Sequence, residues 1–199
     1  MAGNDKYIDF YNAVALGKSG GNTSRNIFGY NSDIGTDFIA AWENATAYPW
    51  PTAAATMTLR WNTADAGYTI LIKGLDANYD EIQETITLTA TPVTQTTQNQ
   101  YYRINDLVTI ATPGGAFGAP ANAISLTNAA NTETYAKINP GVGKNQASIY
   151  TVPRGYEFIT VKSPFNVYLL FYLECSVFVG ECPIEQHFIH TNRKVFNRY

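Results

Sequence analysis

Two cysteines and two histidines near the end of the chain form the set of residues best suited to chemistry: Cys175, Cys182, His187 and His190. Thiolate and imidazole groups together are ligands that zinc prefers in proteins. Six residues separate the cysteines and two separate the histidines, which matches none of the familiar zinc-finger spacings. A turn at Gly180 would bring the cysteines together, so a zinc site stays open as an alternative. We expect buried free thiols and no bound metal.

Carboxylates and nucleophiles are arranged poorly for catalysis. Glu81 and Glu84 lie close in sequence, but on a strand they point to opposite faces, which does not suit glycoside hydrolysis. Asp76, Asn78 and Asp80 resemble the opening of a calcium loop, yet Glu81 stands where that loop needs glycine. A Cys–His nucleophile pair would need a sharp strand-to-helix turn or an oxyanion loop, and neither is indicated. We therefore predict that the protein is not an enzyme and has no cofactor.

Aromatic side chains could instead build a surface on which sugar rings stack. The candidates are Phe28, Tyr30, Trp42, Tyr48, Trp50 and Trp61. The alternative is that these rings fill a core or an interface, because each of them buries a large apolar area. We expect the second role. A sugar-binding role would require exposed aromatic rings beside the loop 76–81 or the loop 114–118.

Composition excludes several classes of protein. The chain has 199 residues, of which 45% are hydrophobic and only 15% are charged. A net charge of −3 argues against nucleic-acid binding, which needs a basic face opposite the phosphates. The longest apolar run, residues 167–173, is too short for a membrane helix, and the polar start of the chain carries no secretory signal. We expect synthesis in a cytosol, with no membrane partner and no nucleic-acid partner.

The elements that would position these residues are β-strands, and the clearest of them form one hairpin. Ile86 and Leu88 alternate with threonines, a period of two that indicates a strand with one buried face. The apolar and β-branched run 68–75 is its expected partner. Residues 76–81 supply the turn, because Asp and Asn tolerate left-handed backbone.

Further strands are predicted at short intervals along the chain. They cover residues 56–61, 101–110, 123–127, 134–138, 146–152, 157–162, 167–179 and 187–190, with polar or glycine-rich turns between them. A turn signal about every ten residues, without helical periodicity, is typical of a β-sandwich or a jelly roll. We predict an all-β fold, specifically a jelly-roll-like β-sandwich.

The first part of the chain is predicted to be an extended N-terminal arm. Residues 19–24 form a flexible loop by composition, and Pro49 and Pro51 favour extended backbone where the arm ends. We therefore divide the chain into an arm and lead-in segment, residues 1–50, and a β-sandwich domain, residues 51–199. The arm carries the residues expected to contact other subunits, which are Tyr7, Phe10, Tyr11, Ile27, Phe28 and Tyr30.

Four segments carry a resemblance to a known family. They are residues 26–34 (NIFGYNSDI), 42–51 (WENATAYPWP), 73–88 (KGLDANYDEIQETITL) and 145–155 (NQASIYTVPRG). In their order and spacing these segments resemble virion structural proteins of tailed bacteriophages, of the marine and cyanobacterial phage type. The resemblance extends from about residue 26 to residue 155 and fades beyond residue 165. The two cysteines and the two histidines lie outside it.

The resemblance implies a role in the virus particle and no reaction. We expect a homo-oligomeric capsid decoration or cement protein, with a trimer favoured, that contacts itself and other virion proteins such as the major capsid protein. Its location would be the virion, assembled in the cytoplasm of the bacterial host. A tail or head-to-tail adaptor component is the alternative within this class. A carbohydrate-binding module of a receptor-binding fibre is the alternative from a different class.

Overall fold

Most of the central part of the chain is described by the structure, a computed structural model. The described residues are 13, 27–31, 41–44, 46–115, 118–157, 175–177 and 189–191. They fall into two compact units, one of which spans Ile27–Gly155, while the other contains the described residues before and after that range. The predicted boundary at residue 50 stays a prediction.

The unit Ile27–Gly155 is built from two antiparallel sheets. Its strands are β1 Thr58–Arg60, β2 Thr69–Leu75, β3 Glu81–Thr87, β4 Thr94–Thr96, β5 Arg103–Ala111, β6 Ile124–Thr127 and β7 Thr134–Ile138. One sheet has the strand order β4-β1-β6-β7 and the other has the order β3-β2-β5. The only helical segments among these residues are short 3-10 turns at Thr63–Asp65 and Pro113–Gly115. The predicted all-β fold is confirmed.

One hydrophobic core lies between the two sheets. Alternate residues of the longer strands point into it, as the period of two requires. The four-stranded sheet contributes Leu59, Leu126 and Ile138, and the three-stranded sheet contributes Ile70, Ile72, Ile86 and Leu107, all buried. Apolar burial on this scale is the main stabilising term of a domain of this size.

The predicted hairpin is confirmed as strands β2 and β3. Their register runs from Thr69 opposite Thr87 to Leu75 opposite Glu81. The Asp76 carboxylate closes the loop by accepting hydrogen bonds from the backbone N–H groups of Asn78 and Asp80, at 2.8 and 3.0 Å. The residue in the left-handed region is Tyr79, with φ of 64°, and not Asp or Asn. The acidic loop therefore acts as a turn, as expected.

A segment after β7 extends the three-stranded sheet without forming a regular strand. Thr109 donates its backbone N–H to Gly143, and Asn145 donates its backbone N–H to Leu107, at 2.8 and 2.9 Å. Further along, the side chain of Asn105 takes the place of a peptide group. Its Nδ2 donates to the Thr151 carbonyl and its Oδ1 accepts from the Thr151 N–H, both at 2.8 Å. We call residues 142–152 the edge segment.

The other unit contributes a pair of short antiparallel strands, β8 Cys175–Val177 and β9 Ile189–Thr191. Cys175 is opposite Thr191 and His190 is opposite Ser176, so Cys175 and His190 occupy neighbouring register positions. Cys182 and His187 lie outside the described residues, and the zinc alternative stays a prediction. Within the described part of the chain, no helix is long and apolar enough to cross a membrane.

Candidate functional site

Two pieces of the N-terminal part of the chain lie along the edge segment. Tyr30 donates its backbone N–H to the Gln146 carbonyl at 3.0 Å. Ser148 donates both its backbone N–H and its hydroxyl to the Ala41 carbonyl, at 2.8 and 3.0 Å. Gly29 lies so close to Ala41 and Ser148 that a Cβ at this position would overlap with their atoms. We call these contacts of residues 27–31, 41–44 and 46–50 with the edge segment the seam.

A second hydrophobic cluster fills the seam. Trp42, Tyr48 and Ile149 are buried together, and the rings of Trp42 and Tyr48 meet edge to face with their centres 5.2 Å apart. The Trp42 indole N–H donates to the Thr46 carbonyl at 2.6 Å, and the Tyr48 hydroxyl donates to the Tyr135 carbonyl at 3.0 Å. Burial raises the pKa of Tyr48, so this hydroxyl keeps its proton and remains a donor. The cluster therefore attaches the lead-in segment to β7.

Arg103, at the start of β5, contacts Trp50 and Pro51, where the lead-in segment ends and the predicted β-sandwich domain begins. Its Nη1 donates to the carbonyls of Pro51 and Tyr102, at 2.9 and 2.7 Å. The guanidinium carbon lies 3.9 Å from the centre of the Tyr102 ring and 5.4 Å from the centre of the Trp50 ring. The residue is only 6% exposed, and no described carboxylate forms an ion pair with it. The positive guanidinium group of Arg103 thus interacts with two carbonyl groups and two aromatic rings in place of water.

The loop between β2 and β3 contacts Tyr102, next to Arg103. The rings of Tyr79 and Tyr102 lie edge to face, 5.4 Å apart. Arg154 donates its backbone N–H to the Tyr79 carbonyl at 2.9 Å, and its Nη2 lies 3.0 and 3.1 Å from the two carboxylate oxygens of Asp80. That ion pair is exposed and contributes little stability. Arg154 thus joins the hairpin loop to the chain that follows the edge segment.

The residues predicted to contact other subunits are described only in part. Tyr7, Phe10 and Tyr11 lie outside the described residues. Ile27 is half-buried, whereas Phe28 is 59% exposed and Tyr30 is 48% exposed. The seam therefore presents two large aromatic side chains to the surroundings, on either side of the closely packed Gly29.

The six aromatic residues considered for sugar stacking divide into two groups. Trp42, Tyr48 and Trp61 are buried, and the Trp61 indole N–H donates to the Thr89 carbonyl at 2.8 Å. Phe28, Tyr30 and Trp50 are exposed. Arg103 and Tyr102 were missed from the sequence, because an isolated arginine is normally a surface residue and nothing in the local pattern places it between two rings.

Glu43 is the described carboxyl group whose surroundings perturb it most. Both of its oxygens are buried, and no described side chain donates a hydrogen bond to them. Burial raises the pKa of Glu43 from 4.5 to about 7, while its own backbone N–H and the positive charge of Lys137 act in the opposite direction. A carboxyl group that titrates near neutral pH is suited to proton transfer or to pH sensing.

Replacing Glu43 with Gln should stabilise the protein in alkaline solution. Because the pKa of Glu43 is higher in the folded chain, the native protein loses stability as the pH rises from about 4.5 to 7. A shift of this size corresponds to roughly 3 kcal/mol, which partial exposure reduces to about 1–2 kcal/mol. We expect Glu43→Gln to be more stable by that amount at about pH 8 and no more stable at about pH 4, as measured by urea unfolding.

The matched control for this measurement is Glu157→Gln, the same chemical change on an exposed side chain. This control variant should show the same difference in unfolding free energy between about pH 8 and about pH 4 as the native protein. A gain for Glu43→Gln that is equally large at acid pH would contradict the assignment to ionisation.

Metal binding has little support in the part of the chain that the structure describes. The Asp76 carboxylate is occupied by N–H groups of its own loop, and the Asp80 carboxylate is occupied by Arg154. No group of three or more His, Cys, Asp or Glu side chains among the described residues could hold an ion. Comparisons of the chain with models of known protein families, with curated proteins and with solved structures found no match.

Proposed function

We propose that the protein is a non-enzymatic structural component of a tailed-phage virion, and specifically a homo-oligomeric capsid decoration or cement protein. The observation that supports this proposal is the pair of exposed aromatic side chains, Phe28 and Tyr30, on a seam whose backbone is fixed by hydrogen bonds. Aromatic residues of this kind are the usual anchors of protein–protein interfaces. These side chains stabilise an interface only when a partner protein buries them.

The seam would give these anchors a defined position. Tyr30 is tied to Gln146, and Gly29 is packed against Ser148, so the backbone between the two aromatic residues has little freedom. A preorganised anchor loses less conformational entropy on association than a flexible one. Repeating such a contact around a symmetry axis yields a closed ring from one kind of contact.

The strand arrangement and the N-terminal arm are also part of this proposal. We propose a jelly-roll-like arrangement of the strands and an N-terminal arm, residues 1–50, that extends to a neighbouring subunit. A trimer is the favoured assembly, and the other expected partner is the major capsid protein. The low content of charged residues, 15%, supports a surface that is covered largely by other protein. The protein would be located in the virion, after assembly in the bacterial cytoplasm.

Removing the two exposed aromatic side chains should disrupt the oligomer. The native protein should give the mass of a closed oligomer, a trimer in the favoured case, by native mass spectrometry. The double variant Phe28→Ser/Tyr30→Ser should dissociate at protein concentrations at which the native oligomer is intact. An interface anchor typically contributes about 2 kcal/mol or more to association, which is roughly a thirtyfold change in dissociation constant for each anchor.

The matched control is Ile110→Ser, which removes an exposed hydrophobic side chain at the end of β5, outside the seam. It should leave the oligomer intact. A native protein that is a monomer at all concentrations would contradict the proposal, and so would equal dissociation of the control variant.

A tail or head-to-tail adaptor component is the alternative within the same class, and the symmetry of the oligomer would separate it from a decoration protein. The second candidate function is a carbohydrate-binding module of a receptor-binding fibre. It is favoured by Trp50, which is 39% exposed, and by Tyr79 and Tyr102, which lie half-buried at the hairpin loop. Loss of glycan-array binding in a folded Trp50→Ala variant would support this second candidate.

A further inference from the structure

The outer face of the four-stranded sheet carries an open depression. It is lined by Arg60, Trp61, Asn62, Asn122, Ala123, Ser125, Thr127, Asn131 and Thr134, and its volume is about 370 Å³. The depression is shallow and open to solvent, so a ligand would lie along it and remain partly exposed. Apart from Arg60 and the buried Trp61, the larger lining side chains are neutral amides and hydroxyls, and none is a carboxylate.

The strand register explains why these side chains converge. Arg60 on β1 is opposite Ser125 on β6, which is opposite Lys137 on β7. Directly opposite residues of an antiparallel pair point to the same face. Leu59, next to Arg60, points to the core, so this row points outward. Arg60 and Lys137, on strands about 10 Å apart, thus share one face with hydroxyl groups. Only Arg60 lines the depression, and the charge of Lys137 acts on the carboxyl group of Glu43.

Arg60 is fixed in place and keeps hydrogen-bonding capacity. Its Nε donates to the Thr127 hydroxyl at 3.0 Å and its Nη2 donates to the Ala129 carbonyl at 3.3 Å. Within the described residues no acceptor is bound to Nη1. A guanidinium group that is held from one side and open on the other is well suited to bind a carboxylate.

The amide groups around the depression are also positioned by the fold. The side-chain oxygen of Asn62 accepts the N–H of Ala64 at 3.0 Å, which fixes the side chain at the start of a 3-10 turn. Asn131 lies in the left-handed region with φ of 59°, in a turn that the Asn128 side chain holds through Thr132. Asn tolerates this backbone conformation, so the turn holds the Asn131 side chain in a defined place. Neutral amides and hydroxyls both donate and accept, as sugar hydroxyl groups require.

We propose that this depression binds an acidic saccharide, with Arg60 contacting the carboxylate of a uronic or sialic acid residue and the Asn, Ser and Thr side chains contacting its hydroxyl groups. The site is separate from the seam and does not depend on the virion role.

The test is to measure the binding of defined oligosaccharides to the full chain by isothermal titration calorimetry. The probes are a hyaluronan tetrasaccharide, which contains glucuronate, and chitotetraose, which is neutral. The acidic probe should bind at least roughly tenfold more tightly, since a hydrogen bond to a charged group contributes about 1.5–3 kcal/mol. Arg60→Gln should weaken its binding by roughly tenfold or more.

Two further variants separate recognition from folding and from net charge. Thr134→Val preserves shape but removes a hydroxyl group from the lining, and it should weaken binding by roughly three- to tenfold with thermal unfolding unchanged. Arg154→Gln removes the same charge from the exposed hairpin side and should bind like the native protein. Equal weakening by Arg154→Gln, the absence of saturable binding, or displacement by sulfate alone at the same concentration would overturn the proposal. The oligomer mass tests the virion role independently.

Discussion

Replacing Gly74 with Ala is expected to cost about 3 kcal/mol of folding stability or more. Gly74 lies inside β2, where the neighbouring strand β5 approaches its backbone closely. A Cβ at this position would overlap with the carbonyl oxygen of Arg103 and would lie 2.8 Å from Cδ1 of Tyr101. Since the nearest obstacle is backbone, β2 and β5 must separate to make room, which breaks hydrogen bonds of the central strand pair. Equilibrium unfolding in urea measures the loss.

Gly143→Ala is the matched control for this substitution. Gly143 lies on the edge segment and no atom lies within 4 Å of the position that its Cβ would take. The change should alter stability by less than about 0.5 kcal/mol, or raise it slightly by restricting the unfolded chain. If Gly74→Ala proved as mild as Gly143→Ala, the close approach of β2 to β5 would be wrong.

Replacing Trp42 with Ala should have the other large effect, about 3–5 kcal/mol, which is typical of emptying the site of a buried tryptophan. Trp42 is 0% exposed and is the largest member of the cluster that fills the seam. Because this cluster is separate from the main core, the loss should concentrate in the seam. Hydrogen exchange should accelerate at Tyr30 and Ser148, whose N–H groups bond across the seam, well before it accelerates in β2 and β5.

Trp50→Ala removes the same kind of side chain a few residues away and serves as the control. Trp50 is partly exposed and contacts Tyr48 and Arg103 at its surface. Its removal should cost about 1 kcal/mol, because less apolar area returns to water. Uniform acceleration of exchange across β2, β5 and the seam in the Trp42→Ala variant would contradict a separate cluster.

The hairpin could be predicted from the sequence because its information is local. The alternation around Ile86 and Leu88 and the acidic turn after Leu75 lie within one short stretch, and both patterns are confirmed. Strand β4 was missed, since Thr-Gln-Thr has no apolar alternation and resembles the polar connection that was expected there. Its pairing with β1 depends on partners that the local pattern does not contain.

The seam could not be derived from the sequence, because its contacts join residues that are far apart along the chain. Asn105 acts as a substitute for a peptide group only because Thr151 lies opposite. Gly29 lies in the segment predicted to be an extended arm, and its lack of a side chain permits the close contact with Ser148. The raised pKa of Glu43 likewise results from burial in the folded chain, which its local sequence does not indicate.

The long separation of the seam contacts has a consequence for synthesis on the ribosome. Ala41 meets Ser148 only after another 107 residues have been added to the chain. Strands β1 to β7 precede the edge segment in the sequence, so the two sheets can assemble before residues 27–31 and 41–44 meet their partners on the edge segment. Trp42, Phe28 and Tyr30 would remain accessible during that interval, and exposed apolar side chains of this kind promote association with other chains. The surface formed by residues 27–31 and 41–44 is thus the last to be covered by its own chain. It therefore stays accessible to neighbouring nascent chains for the longest time.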